Sequence, residues 1–446
     1  MSKSYSFNSA YITGAAFISA LGGYLFGFDF AVIAGALPFL KEQFHLDEYW
    51  EGFATASLAL GCIVGCLFAG GFSDKVGRKK ALMVAAFIFF ISSLAMAFAP
   101  NRDLFIAARF VAGIGVGMAS VLSPMYIAEI SPAHMRGRMV SLNQLTVVIG
   151  IFVTGLVNYL LRDHGVDAWR WMVGLGAVPS LLFMIGVLWL PESPRWLVKN
   201  NEVEKADKIL TKIGNTDYAR ESIQSIKQSL TGDIKVSFKE VFSKATLPAV
   251  VIGAGLAIFQ QWNGANSIFN YGARIFESLG YSLGDQLWQL VIINLVNLIF
   301  TIVAMWQVDK LGRKPLMLFG AAGLCLSYVL SAVLLQQGSQ VAVWTLVTAI
   351  AIYAMTLAPV TWVLISEIFP NRVRGMATSV AVVALWLAYA VLVFTFPILM
   401  EQVGTYTPFY IYAAICLIGF VFVKIKVKET KGKTLEELED VIKGGH

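Results

Sequence analysis

Apolar residues in this chain neither alternate nor mark a single helical stripe. They run on for about twenty positions at a time, the length a helix needs to cross a bilayer core. Such runs predict spans near residues 11–39, 51–72, 81–99, 104–127, 140–161, 169–190, 246–272, 285–307, 315–336, 341–366, 375–399 and 407–425. That makes twelve. The longest polar stretch, 191–244, separates them into six and six. The expected organisation is an N-terminal bundle over 1–190, a connector over 191–244, a C-terminal bundle over 245–425 and a tail over 426–446. In the connector Glu202, Glu204, Lys205, Asp207 and Lys208 alternate with apolar residues at helical spacing. This predicts short amphipathic helices lying along the membrane face; a flexible linker is the other reading.

Composition adds exclusions. The 446 residues are 57% hydrophobic and 14% charged, with a mean hydropathy of +0.69, against about 25% charged in a soluble domain. A soluble enzyme, a nucleic-acid binder and a disordered scaffold are excluded, and the bilayer is the expected surrounding. Charge then orients the spans. With both ends cytoplasmic, the inner loops hold Lys75, Arg78, Lys79, Lys80, Arg136, Arg138, Lys310, Arg313, Lys314, Arg372 and Arg374, and the connector adds more. The outer loops hold Lys41, Arg102, Arg162, Arg170 and Arg274. Cytoplasmic loops carry such an excess, so the net charge of +6 is mainly an orientation signal. The basic run at 424–433 reads as a solvated tail, with contact to anionic lipid heads as the alternative.

Cys62, Cys66, Cys325 and Cys416 lie in apolar runs, and the four histidines are scattered. No metal site is expected. Gly113, Gly115 and Gly117 follow no strand and form no dinucleotide fingerprint. With no catalytic constellation and no nucleotide site, the chain is not expected to be an enzyme or to hold a cofactor. Work done by it draws on a gradient.

The chain repeats itself. GGFSDKVGRKK (70–80) follows the second span and VDKLGRKP (308–315) follows the eighth. AEISPAHMRG (128–137) follows the fourth and SEIFPNRVRG (366–375) the tenth. Asp74 to Asp309 is 235 positions; Glu129 to Glu367 and Arg136 to Arg374 are both 238. Two motifs recurring in order at nearly one offset mark duplicated six-span halves, a transporter signature.

These loop motifs, with Gly27-Phe28-Asp29, Arg109-x3-Gly113, Pro191-Glu192-Ser193-Pro194-Arg195-Trp196 and Gln260-Gln261-x4-Asn266, resemble the sugar porter branch of the major facilitator superfamily. The chain is especially similar to bacterial proton-coupled pentose and hexose symporters. The resemblance implies an all-α membrane protein of twelve transmembrane helices. They form two pseudo-symmetric six-helix bundles around a central monosaccharide site that opens alternately to each side. It implies symport of a monosaccharide with a proton. An uncoupled facilitator is the alternative within transport, and a non-transporting sugar sensor the alternative outside it. The sequence has no Asn-x-Ser/Thr acceptor and short outer loops, which lean toward a bacterial inner membrane.

Asp29 and Arg109 sit deep in apolar runs, where a charge costs roughly 2.5–3.5 kcal/mol. They are expected to meet between spans one and four and to carry proton coupling; a permanent structural ion pair is the plain alternative. Sugar hydroxyls need paired amides and aromatic faces. By motif, Gln144, Gln260, Gln261, Asn266, Asn297, Trp362 and Trp386 correspond to family sugar contacts. Gln260, Gln261 and Asn266 share a face only if the helix breaks, which Gly264 permits. Asn270 stands where the family often begins a Tyr-Tyr pair, and Leu385 where it carries Gln or Asn, so the particular sugar is left open. By resemblance Asp74, Arg78, Glu129, Arg136, Glu192, Asp309, Arg313, Glu367 and Arg374 form a cytoplasmic gate, bridging the bundles when the inner side is closed. Individual surface pairs are worth about 0–1 kcal/mol, so only a network would bias the equilibrium.

Overall fold

Asn8 and Asp47 cap the first two helices by accepting hydrogen bonds from the backbone N–H of Tyr11 (3.1 Å) and Trp50 (2.8 Å), and helices account for most of the described residues. The computed structural model describes residues 6–231, 238–244, 246–370 and 373–431, without the side chains of 231, 238, 239, 308, 309 and 366. The first half contains α1 (Ser9–Phe44), α2 (Glu48–Val76), α3 (Arg78–Ala97), α4 (Arg102–Ile130), α5 (Ala133–Leu161), α6 (Ala168–Gly174) and α7 (Ala177–Trp189). The connector folds into α8 (Pro194–Lys199), α9 (Val203–Ile213), α10 (Thr216–Thr231) and α11 (Phe238–Val241). The second half contains α12 (Leu247–Trp262), α13 (Ala265–Glu277), α14 (Leu283–Leu311), α15 (Arg313–Gln336), α16 (Ala342–Met355), α17 (Leu357–Ile368), α18 (Arg374–Val403) and α19 (Thr407–Lys426).

Among the described residues three spans are broken. The sixth is α6 with α7, the seventh α12 with α13, and the tenth α16 with α17. Among the described residues eleven segments are long and apolar enough to cross a bilayer, and the divided α12–α13 pair brings the total to the twelve expected. The breaks have local causes. Gly264 takes φ +94°, a left-handed value open to glycine at little cost, and Thr356 (φ −124°, ψ −86°) interrupts the tenth span. Non-helical backbone at membrane depth is tolerated where protein or a cavity surrounds it.

Small residues let the helices approach. Gly61 of α2 faces the Phe110 carbonyl and Gly113 of α4, so a larger side chain would strike backbone. In the first half α2 packs on α4 and α1 on α5; in the second α15 packs on α19 and α12 on α18. The halves meet along α2 with α18, α5 with α14, and α1 with α13. The connector is moored to the first half: Asn8 N–H donates to the Ile213 carbonyl (2.9 Å), and the Phe7 ring packs on His134 and Tyr218.

Past α19 the chain departs from the solvated run read from its lysines. Val427 and Thr430 are buried, and Glu429 turns back onto the start of α15. Residues 432–446 of the expected tail lie outside the described residues.

Candidate functional site

The break at Gly264 brings the three amides of the seventh span onto one line. Asn266 Nδ2 donates to Gln261 Oε1, Gln261 Nε2 to Gln260 Oε1 (2.5 Å), and Gln260 Nε2 to the Tyr353 hydroxyl (2.8 Å). All three amides are buried. Beside them an aromatic cluster bridges the halves. Phe26 packs on Trp386 (5.6 Å between ring centroids), Phe30 on Tyr389 (5.7 Å) and Phe269 (5.9 Å), and Trp386 on Tyr389 (5.9 Å). The ring that position 270 lacks is answered from α18: Tyr389 donates its hydroxyl proton to Asn270 Oδ1 (3.1 Å). Asn297 is buried on α14, which packs against α13, α16 and α17. Gln144 on α5 is half-buried, and Trp362 on α17 is 41% exposed. Tyr353, at the end of the amide line, escaped the sequence reading because a Tyr inside an apolar span reads as packing.

Asp29 and Arg109 meet as expected. Arg109 Nη1 lies 3.3 Å from Asp29 Oδ1, both residues are fully buried, and Nη2 donates to the Asp29 carbonyl (3.4 Å). The pair is under-satisfied, since Asp29 Oδ2 and Arg109 Nε have no hydrogen-bond partner. Phe30, the next residue, packs on Tyr389, whose hydroxyl donates to Asn270, and Asn270 Nδ2 donates to the Asn266 carbonyl, so a chain of contacts runs from the ion pair to the amide line.

At the face where α1 begins and α19 ends, the charges of the repeated motifs pair within each half. Arg78 holds Asp74 (2.7 Å) and Glu129 (3.1 Å), Glu129 also accepts from Ser193 Oγ, and Lys199 reaches Asp74 (3.0 Å). In the second half Arg313 pairs with Glu367 (3.2 Å). Arg136 donates to the Ala128 carbonyl and Arg374 to the Phe369 carbonyl. The Asp309 side chain and Arg372 lie outside the described residues. Glu192 accepts from the backbone N–H of Arg78 (2.8 Å) and Lys79 (3.2 Å), so it caps α3. Glu429, absent from the sequence reading, does the same for α15 through Arg313 and Lys314 (both 3.0 Å). Glu192 to Glu429 is 237 positions, inside the repeat offset that could have found it.

Burial opposes ionisation of Glu429, but bonds from the backbone of Lys431, Arg313, Lys314 and Thr430 outweigh it and hold its carboxyl below the ordinary value. Its contribution to stability is therefore full above the unfolded carboxyl pKa and is lost as pH falls through the lowered folded value. Glu429→Gln will cost about 1 kcal/mol, as loss of a helix cap does. Thermal unfolding of the purified chain measures this: wild type and variant differ at neutral pH and converge at acid pH.

The face opposite the termini holds a second network that the sequence reading passed over as loop charge. Glu51 of α2 pairs with Arg274 of α13 across the halves, Arg274 also meets Glu401 of α18 (2.9 Å), and Lys41 of α1 lies 3.9 Å from Glu51. The side chains of Glu51 and Arg274 are 2% and 12% exposed, so the bond is largely out of water. Below it Tyr271 donates to the Val393 carbonyl, and Gly52 abuts the Phe394 carbonyl. The two halves are clamped together at this end.

Two pseudo-symmetric helical halves around a mid-depth amide and aromatic site define a major facilitator transporter. The family model described as "Sugar (and other) transporter" matches residues 15–442, and the chain belongs to that family. It is 38% identical over 473 residues to the D-xylose-proton symporter of Escherichia coli strain K12, covering 97% of this chain and 96% of that one. Among solved structures, the inward-open xylose transporter XylE from E. coli superposes with a TM-score of 0.86 at 36% identity, covering 96% of this chain and 99% of that one. The proton:xylose symporter XylE bound to 6-bromo-6-deoxy-D-glucose gives 0.82 at 37% identity, covering 98% and 100%. The protein is a multi-pass membrane transporter of the sugar porter kind, not an enzyme.

Proposed function

We propose that the protein carries a monosaccharide together with a proton across the cell membrane by alternating access, with both termini in the cytoplasm. The observation that carries this reading is the Asp29–Arg109 pair set one residue from the aromatic bridge that flanks the amide line. Charge of Lys and Arg on the terminal face supports the orientation. The clamp at the other face then makes this an inward-facing state, in accord with the better superposition on the inward-open relative.

In this reading Gln260, Gln261, Asn266, Asn297 and Gln144 meet the sugar hydroxyls, and Trp362 and Trp386 meet its C–H edges. Ionised Asp29 ties α1 to α4 through Arg109. A proton taken by the unpartnered Oδ2 neutralises the carboxylate and frees Arg109, which changes the relative energies of the two access states. The cytoplasmic charges belong to the gate in its other setting: Asp74, Arg78, Glu129, Arg136, Glu192, Asp309, Arg313, Glu367 and Arg374 hold the inner ends when the outer ends part. In the inward-facing state Arg78 and Arg313 instead keep partners within their own halves.

Counterflow into liposomes tests the substrate class. Preloaded D-xylose or D-glucose will drive uptake of labelled sugar by the wild type. Gln261→Ala will raise the half-saturating concentration at least tenfold, because it severs the amide line at its centre and strands buried polar groups. Absence of saturable exchange for every pentose, hexose and cyclitol would retire the reading.

A further inference from the structure

The amide line has a direction. Asn266 donates to Gln261, Gln261 to Gln260, and Gln260 to Tyr353. This leaves Asn266 Oδ1 as an acceptor at one end. At the other end Tyr353 stands with its oxygen occupied by Gln260 and its O–H still to donate. Tyr353 is buried, and a buried hydroxyl proton without an acceptor is costly. The position of the residue reinforces the point. Tyr353 lies in the last turn of α16, three residues before the break at Thr356, while Gln260 lies in the last turns of α12, before the break at Gly264. Two half-helices thus end against each other through this one hydrogen bond, an arrangement that transporters place around substrate.

We propose that Tyr353 determines specificity at the sugar site: its hydroxyl fixes the orientation of the Gln260 amide and donates its own proton to one hydroxyl of a polyhydroxylated ring. The inference rests on the sugar-binding reading of the amide line and adds a residue to it. A polyhydroxylated ring can accept from Tyr353 through one hydroxyl and donate to Asn266 through another, completing both ends of the array together. An analogue lacking the hydroxyl that faces Tyr353 leaves the phenol unpaired, and the site discriminates against it.

The test uses the full chain purified in detergent, with binding followed by tryptophan fluorescence. The probes are D-xylose, D-glucose, L-arabinose and myo-inositol, then the monodeoxy analogues of whichever binds most tightly. Wild type will bind one monodeoxy analogue about tenfold more weakly than the parent ring. Tyr353→Phe will bind the parent about tenfold more weakly than wild type does, yet will bind that same analogue and the parent within twofold of each other. The other analogues will keep their wild-type ratios to the parent. An equal loss for parent and every analogue would reduce Tyr353 to a packing role and overturn the proposal, as would unchanged affinities throughout. Either result leaves the sugar-site reading standing. Failure of the wild type to bind any of the four rings removes both.

Discussion

Liposomes carrying the Asp29→Asn protein will exchange sugar with its surroundings but will not concentrate it. Asn is close to Asp in shape and cannot ionise, so the variant stands permanently in the neutral condition that a proton confers on Asp29. Arg109 then lacks the charge it meets at 3.3 Å, and the two access states interconvert without reference to protons. Movement of one proton through 100 mV supplies about 2.3 kcal/mol, which corresponds to about fifty-fold accumulation at about 1.4 kcal/mol per decade. The wild type will approach that ratio under an imposed acid-outside gradient, and the variant will stop at unity while its counterflow persists. Accumulation by the variant at the wild-type level would make the buried pair a structural tie and the protein's coupling, if any, the work of another group.

The second large effect falls at the clamp formed by Glu51, Arg274 and Glu401. Arg274→Gln removes the cation shared by Glu51 and Glu401 and leaves the half-exposed Lys41, 3.9 Å away, as the remaining cation of buried Glu51. Removing one member of a buried ion pair is worth about 3–5 kcal/mol, of which a solvated, distant lysine offsets a small part. That penalty weighs on the state in which the halves are pressed together, because water reaches Glu51 once they part. The population will move toward outward opening by well over tenfold. Spin labels on Tyr49→Cys and Val403→Cys, at exposed outer positions of α2 and α18, read the change as a lengthened distance between the halves. Sugar binding from the inner side will weaken in parallel. An unaltered distance distribution would mean that apolar packing of α2 on α18 holds the outer end by itself.

The fold was legible because its determinants are local. Twelve apolar runs, a duplicated loop motif and a glycine between two sets of amides are visible along the chain, and each corresponds to a feature of the structure. The Asp29–Arg109 meeting was legible for a related reason: two charges stranded in hydrocarbon have few partners to choose from. Charges near span ends give no such constraint. Lys41 and Arg274 look like ordinary loop residues, and the Glu51–Arg274 bond joins positions 223 apart, a pairing that only the assembled halves create. Glu429 was hidden differently, among lysines that suggested a solvated run. Its role follows from the backbone N–H groups that the second half presents at the start of α15, as the first half presents its own to Glu192.

That last correspondence bears on how the protein is handled. The final membrane helix closes at Lys426, and it is tempting to trim the chain there or to fuse a tag or reporter directly to it. Doing so would uncork the ninth span, leaving the amides of Arg313 and Lys314 without their anion, and would cripple one half while sparing the other. Fusions are better joined beyond residue 431, so that Glu429 and the bonds flanking it stay in place.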